Sequence, residues 1–94
     1  MAKLEIYITK HCFGCVEALR LATATSSRFP TVSVRVFDLD QEPGARPAGL
    51  VAVPTYILDG RVVSLGNPRH EELYRQVELS LGGAATEEGG NGPS

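Results

Sequence analysis

The chain lacks a charge excess of either sign: nine Lys and Arg against eleven Asp and Glu leave a net charge of −2. No basic stripe is present to follow a nucleic-acid backbone, and no Lys/Arg cluster to favour an anionic membrane, so neither partner is expected. No stretch approaches the roughly 20 apolar residues of a membrane span. Charges at Lys3 and Glu5 interrupt the start of the chain, so no signal peptide is expected and a soluble cytoplasmic protein is. Cysteine is scarce, with Cys12 and Cys15 the only two. In a reducing compartment a structural disulfide is not expected, and a bridge over so short a gap would restrict the unfolded chain very little. The pair is read as catalytic or metal-binding. No internal repeat is found, and 94 residues suit one domain.

What is present is a run of short periodic segments. Leu4 to Thr9 is rich in β formers and predicts a strand. From about Cys12 the period changes, with Cys15, Val16, Leu19, Ala22 and Thr23 recurring at helical spacing. Pro30 ends that helix near Arg28, because the residue before a proline avoids helical angles. Thr31 to Phe37 alternates as a second strand. Asp38 to Gly49 carries two prolines and two glycines, which predicts a loop or a poor single turn of helix. Thr55–Leu58 and Arg61–Leu65 flank Asp59-Gly60, a favoured two-residue hairpin turn. Asn67-Pro68 predicts a helix cap followed by proline at the first helical position, and Leu73, Tyr74, Val77 and Leu81 form the stripe of that helix. Residues 82–94 contain no large apolar side chain and predict a disordered tail beyond a domain of residues 1–81.

The order is β-α-β, a linker, then β-β-α. Strands joined through a helix are parallel, and the hairpin adds an antiparallel pair, so the fold class is α/β with a four-stranded mixed sheet. Cys12 and Cys15 fall between the first strand and the first helix. A thiol attacks as its thiolate, and a helix N-terminus with its unpaired N–H groups favours that form. Cys12 is placed at that end and Cys15 one turn further in, where it can attack a mixed disulfide formed at Cys12. His11, directly before Cys12, is a candidate to stabilise the thiolate or handle its proton.

Cys12-Phe13-Gly14-Cys15 opening the first helix and Val53-Pro54-Thr55 opening the third strand resemble the thioredoxin/glutaredoxin superfamily over residues 3 to 81. The linker in place of a full second helix is most similar to small glutaredoxin-like proteins of bacteria and archaea. The resemblance implies a thioredoxin-like fold whose second helix is degenerate. It also implies a cis Pro54 against the cysteine pair, and a Val53 backbone that pairs with an extended substrate. His11, Phe13 and Gly14 complete the candidate substrate contacts. Several positions depart from the family pattern. His11 stands where thioredoxins carry tryptophan, Phe13-Gly14 where they carry Gly-Pro, and Ile6 where they carry a buried aspartate. Ala52-Val53-Pro54 and Leu65-Gly66-Asn67-Pro68 stand in place of the segments with which glutaredoxins grip glutathione.

The expected activity is thiol–disulfide exchange, with Cys12 attacking and Cys15 resolving, on disulfides of proteins or small molecules. No bound cofactor is expected. An electron donor is, either a flavin-containing reductase or glutathione, and the chain is expected to be a monomer. Two alternatives use the same cysteines as ligands: a Cu(I) carrier, since soft thiolates suit that ion, and a shared Fe–S cluster. The copper-binding pattern has methionine where this chain has Lys10, and it leaves Val53-Pro54 unexplained. The tyrosines Tyr7, Tyr56 and Tyr74 are read as packing residues.

Overall fold

Leu4, Ile6 and Ile8 alternate along β1 (Lys3–Ile8) and are buried, and Tyr7 between them is buried on the other face. A strand covered on both faces belongs inside a sheet, and β1 lies there, in the order β2-β1-β3-β4. The computed structural model describes residues 2–10 and 14–86, with side chains as far as Gly82. β2 (Ser33–Asp38) runs parallel to β1, whereas β3 (Thr55–Leu58) and β4 (Arg61–Leu65) are antiparallel additions. This is the expected mixed sheet in the expected element order.

α1 (Cys15–Arg28) connects β1 to β2. It begins later than the periodicity implied. Gly14 is its cap with φ of 90°, outside helical space, so Cys15 is the first helical residue rather than one turn in. The buried stripe is also rotated from the expected one: Cys15, Ala18, Leu21, Ala22 and Thr25 face the sheet. Val16 is 77% exposed and Leu19 46%. Small residues, Ala and Thr, let α1 approach the sheet closely, and counting only large apolar residues misses that face. The chain leaves α1 through Phe29, whose N–H donates to the Thr25 carbonyl at 2.9 Å.

α2 (His70–Thr86) packs on the same face of the sheet through Leu73 and Val77, both fully buried beside Tyr56 and Leu58. Leu81 is 39% exposed. The helix runs five residues past the predicted boundary at Leu81, through Gly82 and Gly83 to Thr86. Glycine costs a helix roughly 1 kcal/mol per residue. Each added residue of an already nucleated helix still gains a hydrogen bond, and Ala84 and Ala85 are strong formers. The rest of the predicted tail lies outside the described residues.

The linker between β2 and β3 holds one 3-10 turn, Pro43–Ala45, in place of a second full helix. It is tied at its start, where Leu39 N–H donates to the Ile8 carbonyl at 2.8 Å and Lys10 N–H to Asp40 Oδ2 at 2.6 Å. The outer face of the sheet is therefore lightly covered. Tyr7 and Phe37 stack there at 5.0 Å, and an apolar groove of about 310 Å³ opens between residues 47–51 and the β3–β4 ladder.

The hairpin turn has positive φ at both residues, 51° at Asp59 and 85° at Gly60, the geometry that Asp-Gly favours. Asp59 anchors it: its Oδ1 accepts the Lys3 N–H at 2.8 Å and its other oxygen accepts the Ser80 hydroxyl. Tyr56 pairs with Ser64 and Ile57 with Val62, so Val63 is an extra residue, a β-bulge in β4. No described helix is long and apolar enough to cross a membrane.

Candidate active site

Three loops meet at one end of the sheet. The register pairs Tyr7 with Thr55 and Thr55 with Leu65, so the exit of β1, the entry to β3 and the exit of β4 lie side by side. The exit of β1 leads to Gly14 and Cys15, the entry to β3 is Pro54, and the exit of β4 is Gly66-Asn67.

Cys15 is buried at the start of α1 and is disulfide-bonded. Ala18 N–H donates to the Gly14 carbonyl at 3.1 Å, the first bond of the helix. Among the other expected site residues, Pro54 is buried and Val53 half-buried just before β3, and the Val53–Pro54 peptide is cis. Thr55 fixes this entry by donating its hydroxyl to the Ala52 carbonyl at 2.6 Å. His11, Cys12 and Phe13 lie outside the described residues. Among the described residues, no three His, Cys, Asp or Glu side chains come together as metal ligands.

The structure adds two residues that sequence reasoning did not find. Asn67 is not the cap of α2, which starts at His70, with Leu73 N–H donating to the Arg69 carbonyl at 3.0 Å. Its amide spans the site instead. Asn67 Nδ2 donates to the Gly14 carbonyl at 2.8 Å, and Asn67 Oδ1 accepts the Tyr56 hydroxyl at 2.7 Å. The tyrosine proton sets the amide's orientation, because a hydroxyl donor requires the oxygen on its side. Burial, with the Glu17 carboxylate adding to it, holds the Tyr56 hydroxyl well above the usual phenol range, so it stays protonated and available to donate.

Gly66, with φ of 91°, sits beside Asn67 and donates its N–H to the Pro54 carbonyl at 2.7 Å. One dipeptide thus grips both motifs, Pro54 through its backbone and Gly14 through its side chain. A β-carbon at position 14 would stand 3.0 Å from Asn67 Nδ2, so glycine there serves the amide's approach as well as the backbone angle. An Asn read from sequence as a helix cap carries no sign of a bond 53 residues away. The one hint was Tyr56, a tyrosine in a core strand, since a buried hydroxyl needs a partner.

No protein-family model matches the sequence. A thioredoxin of Methanocaldococcus jannaschii is 28% identical over 81 residues, covering 84% of this chain and 95% of that protein. Among solved structures, mitochondrial thioredoxin 3 of Saccharomyces cerevisiae in its oxidised form superposes with a TM-score of 0.65 at 20% identity, over 82% of this chain and 76% of that one. Thioredoxin-2 of the malaria parasite, described as a component of protein secretion machinery there, gives 0.71 at 17% identity, over 83% and 82%. Sheet order, the helix pair on one face and these likenesses agree: the chain has a thioredoxin-like fold and is similar in sequence to a thioredoxin.

Proposed function

We propose that the protein is a dithiol–disulfide oxidoreductase in which Cys12 attacks and Cys15 resolves. The observation that carries this reading is Cys15 itself: a disulfide-bonded cysteine on the first residue of a helix, at the same sheet end as Pro54. The likeness to thioredoxins supports a redox role in general terms.

The Cys12 thiolate attacks one sulfur of a substrate disulfide. That S–S bond breaks, a mixed disulfide forms, and the first substrate thiolate leaves and takes up a proton. The Cys15 sulfur, having lost its own proton, then attacks Cys12. The mixed disulfide breaks, the second substrate thiol departs protonated, and the Cys12–Cys15 disulfide closes. Two electrons pass from the protein dithiol to the substrate, and an external dithiol or a reductase returns them.

The substrate is a disulfide of a protein or small molecule, lying extended along the Val53 backbone with His11, Phe13 and Gly14 at its side. The donor is a flavin-containing reductase or glutathione. The protein works in a reducing compartment, the cytoplasm, as a single chain without a bound cofactor.

The test is reduction of a model protein disulfide with dithiothreitol as donor. Cys12→Ser abolishes turnover, and Cys15→Ser leaves a mixed disulfide at Cys12 that mass spectrometry detects. Turnover by Cys12→Ser at the parental rate refutes the reading.

A further inference from the structure

The Tyr56–Asn67–Gly14 chain of hydrogen bonds is more than the fold requires. The β4–α2 turn is already secured by Gly66 on Pro54 and by the Ser64 hydroxyl, which donates to the Gly66 carbonyl at 2.7 Å. The Gly14 carbonyl already has a helical donor in Ala18. The Asn67 amide gives it a second, delivered from a side chain that a fully buried tyrosine holds in one orientation.

We propose that Asn67, oriented by Tyr56, is a positioning residue for the redox pair: it holds the Gly14 carbonyl in the position it takes when Cys15 is disulfide-bonded and thereby makes that disulfide harder to reduce. The inference rests on the oxidoreductase reading above. Its physical basis is a difference between two states. The bond to Gly14 is seen with Cys15 disulfide-bonded. Reduction frees the Cys15 sulfur from that bond, so the neighbouring Gly14 carbonyl is no longer tied to the position it takes in the bonded state. Tyr56 is fixed in the core, so the amide it orients cannot follow Gly14 freely. A bond made best in one state stabilises that state by the difference alone.

The step tested is protein disulfide plus dithiol reagent giving protein dithiol plus oxidised reagent, with two electrons and two protons transferred. The parent protein and the Asn67→Ala, Asn67→Asp and Tyr56→Phe variants are equilibrated in graded dithiothreitol buffers, and free thiols are counted. One neutral hydrogen bond lost from the oxidised state is expected to shift the equilibrium about fivefold toward dithiol in Asn67→Ala. That is about 20 mV, at about 30 mV per tenfold for a two-electron couple. Asn67→Asp keeps the acceptor for Tyr56 but loses the donor to Gly14, so it shifts in the same direction. Tyr56→Phe leaves the donor and removes what orients it, so its shift is smaller. Unfolding of each variant is measured in both redox states, because a residue with a merely structural role lowers both equally and leaves the equilibrium where it was.

A parent that titrates reversibly with Asn67→Ala and Asn67→Asp unmoved, or moved toward disulfide, overturns the role of Asn67 and leaves the redox reading intact. If Asn67→Ala does not fold, Asn67→Asp decides by the same criterion. A parent with no reversible transition overturns the redox reading and this inference with it.

Discussion

Gly14→Ala isolates the tightest point of the site. Two costs add. An L-residue forced into the φ of 90° that Gly14 adopts loses roughly 1–2 kcal/mol from crowding of its β-carbon. That β-carbon would also meet Asn67 Nδ2 at 3.0 Å. A side-chain end could normally swing aside. This one is held at 2.8 Å by the Gly14 carbonyl and at 2.7 Å, through Oδ1, by Tyr56, so yielding breaks a hydrogen bond worth about 1 kcal/mol. The expected loss is about 2–3 kcal/mol, which for a domain of this size lowers the melting temperature by about 10–20 °C. The assay is urea unfolding followed by circular dichroism on fully oxidised protein, with thiols counted so that redox state does not enter the comparison. The same substitution in an Asn67→Ala background removes the clash and leaves the backbone cost, so the double-mutant cycle reports a coupling of about 1 kcal/mol. A loss below about 0.5 kcal/mol, the size of an ordinary surface change, refutes the argument. Zero coupling refutes its second half.

Three further outcomes are expected. The Thr25 hydroxyl is fully buried and has no hydrogen-bond partner among the described residues, so Thr25→Val stabilises the protein by about 1 kcal/mol in the same urea assay; a destabilised variant means the hydroxyl is satisfied. Hydrogen bonds from the Ser80 hydroxyl, and then from the Lys3 N–H, hold the Asp59 carboxyl below its ordinary value of 3.8. A depressed folded value stabilises fully above 3.8 and is lost as pH falls through the lower folded value. Asp59→Asn, which keeps a turn-compatible residue, is therefore less stable than the parent at neutral pH by on the order of 0.5 kcal/mol, the group being exposed, and the gap closes in acid; a gap that is constant with pH means the charge is irrelevant. Cys15→Ser in the disulfide-reduction assay accumulates its mixed disulfide within the first turnover, and continued turnover shows that a second external thiol resolves in its place.

Much of the fold was legible because its signals are local. β3 and β4 have the residue limits that their composition indicates, since Asp59-Gly60 fixes the hairpin turn and the pairs next to it, Leu58 with Arg61 and Ile57 with Val62. Parallel pairing of β1 and β2 follows from the helix between them. The start of α1 was not legible, because Gly14 is compatible with a helix as a residue type and incompatible with it at the φ of 90° it adopts, which the residue type does not announce. The face of α1 was misplaced for a related reason. Ala18 and Ala22 carry little weight in a hydrophobic count, yet they are what a sheet surface accepts closest. The site divides the same way. Cys15, Val53 and Pro54 stand in recognisable patterns. Asn67 and Tyr56 act through a contact across 11 residues and another across 53, and no local pattern encodes either.

The bulge at Val63 bears on how the chain behaves among copies of itself. β4 is an outer strand of the sheet and carries Val62 and Leu65 in solvent, 57% and 59% exposed. An apolar outer strand with free N–H and C=O groups is a template on which another chain can extend the ladder into an aggregate. The extra residue breaks the even spacing of those groups and bends the strand, so an incoming straight strand finds no continuous register. A deletion that straightens β4 would restore a tidy hairpin and, with it, a surface ready to polymerise.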